Sequence, residues 1–183
     1  QTLAAKVYHH LFYVDATPTV GDVAINNGNT WRTLLVGGLG GGGKGYYALD
    51  VTNPNVANEA ELASKVLWEF PNSSTPASVA NNVGLTYGKP LLAKTKAAGW
   101  VVIVSSGYNN MSGDGKGHLF ILNPNSGALI RDIPTPSGTA ESPSGLAHIS
   151  GFAPRWDYDA TIDYVYGGDL NGNVWRFDLS GDS

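Results

Sequence analysis

The segment PRWDYDATIDYVYGGD, residues 154–169, gathers Asp157, Asp159, Asp163 and Asp169 in one short stretch. Carboxylates at alternating spacing in a loop are the raw material of a calcium site, because a hard cation takes six to eight oxygens from a chain that curls around it. This spacing brings the side chains together only if the loop folds back on itself. Two other readings compete. The Asp side chains can equally cap backbone N–H groups in a turn before the strand DYVYGG. Arg155, two residues before Asp157, can neutralise the carboxylates without any ion.

A second stretch, GGLGGGGKGYY (residues 37–47), nearly spells a phosphate loop: Gly38, four residues, Gly43 and Lys44. The hydroxyl that would hold Mg²⁺ is missing, since Gly45 stands in its place. A phosphate also needs a helix N-terminus directly after the loop, and the chain continues instead into the β-rich YYALDVTNP. The dinucleotide pattern through Gly38, Gly40 and Gly43 fails for the same reason. The run therefore reads as a hairpin connection with residues at positive φ, matched further on by the polar NNMSGDGKG.

Nothing else assembles into catalysis. His9, His10, His118 and His148 show no spaced pairing with carboxylates and read as structural. No Ser lies in a Gly-x-Ser-x-Gly elbow. Trp31, Trp68, Trp100, Trp156 and Trp175 fall at strand ends or at repeat-equivalent places, which points to core or inter-sheet contacts rather than to ligand stacking. No catalytic or cofactor-binding residue is assigned.

The elements that must position these residues are strands. The 183 residues suffice for one domain with a core. Only 14% are charged, and 24 Gly and 10 Pro punctuate short apolar runs, the profile of an all-β chain. A net charge of −4 with no basic cluster argues against nucleic acid as a partner. There is no Cys for disulfides or thiolate metal sites, and no apolar run reaches the length of a membrane-spanning helix. The chain opens on Gln1, and residues 1–183 are expected to be one segment of a propeller domain, truncated at both ends.

Three segments repeat when stacked on Pro18, Pro90 and Pro154, each expected to begin a short strand. Each continues through an apolar strand ending in a small pair (Gly37-Gly38, Ser106-Gly107, Gly167-Gly168) and an aromatic-rich strand ending at Asp50, Asn123 or Asp178. The runs WVVIVSSG and HLFIL are apolar at nearly every position, so both faces of their sheet should be covered. Stacked antiparallel repeats of this kind form a β-propeller, and three or four blades are only part of a ring. Residues 56–64 and 134–144 are the variable loops; NVANEAELASKVLWEF is the one helical candidate, through the helix formers of NEAELASKV, and reads equally as an ordered loop leading to the strand VLWEF.

The phrases WRTLLVGGLGGGGKGYYALDVTNP, VLWEF, GHLFILNPNSGALI and DYVYGGDLNGNVWRFDLSG resemble the C-terminal propeller of PilY-type proteins, the type IV pilus tip-associated adhesins. The resemblance covers most of the chain in the family's order. It implies a partial β-propeller from a larger, seven-bladed ring, in a non-enzymatic surface protein of a Gram-negative bacterium. Such a protein supports pilus extension against retraction and attachment to surfaces or host cells. Minor pilins, the pilus tip complex and a surface or host-cell receptor are the implied partners. The cell surface, pilus tip or outer membrane, reached through the periplasm, is the implied location. The family also carries a calcium loop before its DYVYAGDL-like strand. Laid on this chain, its ligands would be Asp157, Asp159, the Thr161 carbonyl and Asp163, with Ca²⁺ as the implied cofactor. The first ligand position holds Arg155 where the family has Asp, so the guanidinium either stands in for the ion or swings outward and leaves four ligands. The alternatives to an adhesin are a quinoprotein dehydrogenase propeller, whose docking Trp is replaced here by Ile130, and a carbohydrate-binding propeller.

Overall fold

A computed structural model describes residues 9–25, 28 and 30–181. Three antiparallel sheets succeed one another along the chain. The first contains β1 (Thr19–Ile25), β2 (Thr30–Gly38), β3 (Tyr46–Asp50) and β4 (Val66–Phe70), in that order. The second contains β5 (Leu91–Thr95), β6 (Gly99–Ser105), β7 (His118–Leu122) and β8 (Leu129–Pro134). The third has three strands, β9 (Ile149–Phe152), β10 (Tyr164–Gly168) and β11 (Val174–Asp178), with β10 in the middle. These meanders, stacked face to face, are blades of a β-propeller.

The second sheet is covered on both sides because successive side chains of a strand point to opposite faces. Val102, Val104, Phe120 and Leu122 meet Val23, Leu34, Val36, Tyr46 and Phe70 of the first sheet. Their neighbours Val101, Ile103, Leu119 and Ile121 meet Leu146, Val165 and Phe177 on the other side. Each fully buried aliphatic or aromatic side chain contributes about 1.5–3 kcal/mol, so β6 and β7 carry the two cores at once. The Tyr46 phenol is buried among them and donates to the Ser105 carbonyl at 2.8 Å. Desolvation pushes its pKa up.

The repeat has a physical basis at the end of each third strand. Asp50 Oδ1 accepts from the Thr52 N–H at 3.0 Å, Asn123 Oδ1 from the Asn125 N–H at 2.9 Å, and Asp178 Oδ1 from the Ser180 N–H at 3.0 Å. The same Asx turn ends the strand in all three sheets, which is why the position is Asp or Asn. A register shift also recurs at matching places, between Ala48 and Leu49 and between Ile121 and Leu122.

One repeat assignment is corrected. Pro18 and Pro90 do precede β1 and β5, but Pro154 comes after β9. The third sheet's first strand is ISGF, set by its ladder with β10 (Phe152 opposite Tyr164), and the proline belongs to the loop beyond it. The helical candidate is a five-residue helix, α1 (Glu59–Ala63), capped by Asn58 Oδ1 on the Glu61 N–H at 2.9 Å. A second short helix, α2 (Ala77–Ala80), was not expected.

The glycine run is a turn, with a further reason for its composition. Gly40–Gly42 form a single 3-10 turn in the β2–β3 connection, with Gly40 at φ +62°. The Asp15 carboxylate lies against it, taking the Gly41 N–H at 2.7 Å. A Cβ at Gly40 would collide with that carboxylate, and one at Gly42 with the Tyr13 carbonyl. Glycine is needed there for close approach as well as for φ.

Candidate functional site

An antiparallel meander places alternate connections at opposite ends of its sheet. The β1–β2, β5–β6 and β7–β8 turns and the β9–β10 loop therefore share one end of the domain, and the glycine turn lies at the other.

The β9–β10 loop, residues 153–163, carries the acidic residues. It turns on the Arg155 carbonyl, which accepts from the N–H groups of Tyr158 and Asp159 at 3.0 and 3.2 Å. Ala160 takes φ +52°. The loop then docks on β5, where Thr161 bridges Lys94 and the Ile162 N–H donates to the Lys94 carbonyl at 2.8 Å. Buried Ile162 anchors that contact. The Asp163 N–H returns to the Phe152 carbonyl at 3.0 Å.

A cleft of about 420 Å³ brings Asp159, Thr161 and Asp163 together with Arg155 and Lys94. Asp157 is exposed and is not among its lining residues. Asp159 Oδ1 accepts from the Thr161 N–H at 3.0 Å. That bond, with the charges of Lys94 and Arg155, holds the Asp159 carboxyl below its ordinary pKa. The Arg155 guanidinium lies over the Tyr158 ring at 4.4 Å. Among the described residues no three carboxylate or imidazole groups converge as a ligand set. As placed, the loop offers a calcium ion two carboxylates and a carbonyl set against three cationic side chains, Lys94, Lys96 and Arg155, which does not fit a site built from oxygens alone.

Asp169, grouped with these residues in the sequence, sits in the β10–β11 turn at the far end of its sheet. It accepts from the Trp175 indole and the Asn173 amide, each at 2.9 Å. It closes a hairpin and takes no part in the loop.

Sequence reasoning missed two other groups. His118 is 3% exposed and lies between Asp132 Oδ1 at 2.7 Å and Asp114 Oδ1 at 3.1 Å. Burial opposes the imidazolium, but the two carboxylates outweigh it and raise the pKa. The pairing was invisible because Asp132 reaches His118 across the β7–β8 ladder rather than along one strand. The tryptophans also divide. Trp68 is buried between sheets and donates to the Pro124 carbonyl at 2.9 Å, as expected of a core residue. Trp31 and Trp156 are 59% and 76% exposed, against the expectation that all five are buried in contacts. Trp31 meets Trp100 edge to face, with ring centroids 5.6 Å apart.

Stacked antiparallel meanders, two of four strands and one of three, each with an Asx turn at the end of its third strand, define a partial β-propeller. The PilY1 beta-propeller domain matches residues 1–183, and the chain belongs to that family. A type IV pilus biogenesis factor PilY1 homolog from Xylella fastidiosa is 38% identical over 98% of this chain and 12% of its own length. The type IV pilus biogenesis factor PilY1 of Pseudomonas aeruginosa is 36% identical over 95% of this chain and 13% of its own. The crystal structure of the Pseudomonas aeruginosa PilY1 C-terminal domain superposes with a TM-score of 0.72 at 36% identity, covering 92% of this chain and 30% of that one. The chain thus spans about an eighth of the length of the curated relatives it matches.

Proposed function

We propose that this chain is part of the propeller of a type IV pilus biogenesis factor that acts without catalysis, as a tip-associated adhesin supporting extension against retraction. The observation that supports this most is the match of the whole chain to the PilY1 propeller, in sequence and in fold. The partners in this reading are minor pilins and the pilus tip complex on one side and a surface or host-cell receptor on the other. The location is the cell surface or pilus tip, in association with the outer membrane. The test is removal of the gene. Surface pili and twitching should be lost, and pili should return when retraction is also disabled. Pili that remain at parental numbers would overturn the pilus role.

We propose further that Arg155 supplies positive charge that a calcium ion would otherwise bring to the β9–β10 loop. The ligands implied by the family, Asp157, Asp159, the Thr161 carbonyl and Asp163, then bind calcium weakly or not at all. Support comes from the cleft in which Arg155 and Lys94 lie beside Asp159 and Asp163, since each added cation disfavours a second one nearby.

A further inference from the structure

We propose that the cleft between the first two sheets is a saccharide-binding site, with Trp31 and Trp100 as its stacking surfaces. The cleft lies at the same end of the domain as the β9–β10 loop and measures about 970 Å³, within the size range of ligand pockets. Its two indoles sit at one and the same repeat position, the second residue of β2 and of β6. Stacking two blades brings them side by side, with ring planes 72° apart. Trp31 stands opposite Ala24 on β1, and Trp100 opposite Lys94 on β5.

As core filler Trp31 makes little sense, because more than half of it is left in water. As a platform it makes more: an indole face receives the C–H face of a pyranose, while polar groups around it receive the hydroxyls. Those groups are present. The β7–β8 turn contributes Asn123, Asn125 and Ser126 to the rim. Asn123 spends its Oδ1 on the Asn125 and Ser126 N–H groups, which orients its Nδ2 as a donor. Trp68 fixes the turn from behind through the Pro124 carbonyl, and a Cβ at Gly127 would strike the Trp68 ring, so the rim is held by the core. Lys94 adds one positive charge, favouring a carboxylated sugar over a neutral one. An aromatic pair ringed by amides, a hydroxyl and a single cation suits a sugar better than an apolar ligand. A single cation in the lining, with no basic cluster to follow a phosphate backbone, disfavours a nucleic acid.

The inference deepens the adhesive reading and rests on it only for its use on the cell. The two fail separately, since piliation of a deletion strain decides the pilus role and binding by purified protein decides the site. The experiment is calorimetric titration of the full-length protein with two probes, neutral chitohexaose and carboxylated hexagalacturonate. Hexagalacturonate should bind, and Trp31→Ala should weaken it at least about tenfold with an unchanged Tm, as expected when an aromatic anchor is removed. Trp31→Phe should restore most of the loss, Lys94→Met should narrow the preference for the carboxylated probe, and Trp156→Ala, outside the cleft, should change nothing. The proposal is overturned if neither probe binds with a Kd of about 1 mM or tighter, or if Trp31→Ala binds as the parent does.

Discussion

Replacing His118 with Gln removes the charge from the buried contact between the second sheet and its loop while leaving a neutral donor. The imidazole is 3% exposed and bonds Asp132 at 2.7 Å, a side chain that is itself 23% exposed. A charge-assisted hydrogen bond in that setting contributes about 1.5–3 kcal/mol. The Asp114 partner is 41% exposed, so solvent screening reduces its share to about 0.5 kcal/mol. The substitution should therefore cost about 2 kcal/mol where the imidazole is charged, or about 4–8 °C in Tm for a domain of this size. The pH dependence has a definite sign. The folded pKa of His118 is raised above its ordinary 6.5, so the stabilisation is fully present below about pH 6.5 and fades as pH rises through the folded value. Asp114 is held below its ordinary 3.8, so its contribution is lost only as pH falls through that lower value. The window of greatest benefit runs from about pH 4 to pH 6.5. Thermal melts of parent and variant at about pH 5.5, 7.5 and 9 should show a gap that narrows with rising pH. A gap that is constant, or that widens towards pH 9, would refute the reasoning, because it would mean that the imidazole is neutral in the folded protein.

The loops at the two ends of the domain can be tested in the same way. Gly40→Ala should destabilise by about 2 kcal/mol or more, since a left-handed Ala alone costs about 1–2 kcal/mol and its Cβ meets the Asp15 carboxylate. An unchanged denaturation midpoint would mean that the Tyr13–Asp15 segment does not hold to the turn. Calcium calorimetry on the full-length protein should show weak or no binding in the parent and a gain in Arg155→Asp that Asp159→Ala cancels. Tight parental binding lost in Asp159→Ala would show that Arg155 does not displace the ion.

What could be read from the residues alone was whatever repeats or pairs within one strand. The strand runs, their two covered faces and the strand-end Asp or Asn were legible because the side-chain period and the Asx turn are local rules. Pro154 misled because a proline marks the edge of a strand without saying which edge. His118 went unrecognised because its carboxylates come from the next strand and from a loop, and sequence order does not reveal cross-strand neighbours. Asp157 and Asp169 were grouped with Asp159 and Asp163 on spacing, but one is outside the cleft and the other lies at the opposite end of the sheet. Spacing measures distance along a chain, and a strand of five residues is enough to carry Asp169 away.

The repeat position shared by Trp31 and Trp100 has a third member. Counted back from the small pair that ends each second strand, the equivalent residue of the third sheet is Thr161, whose carbonyl belongs to the acidic loop. The same place in the fold thus presents an indole on two blades and a polar loop on the next. This is how a repeat architecture diversifies, since the strands must keep their ladder while the residues at the turns do not. Lys94 sits between the two, lining both the Trp cleft and the acidic one, with its backbone bridged to Thr161. Neutralising it would act on both clefts at once. A charged ligand at the tryptophans, in the site proposed above, would share that ammonium with Asp159.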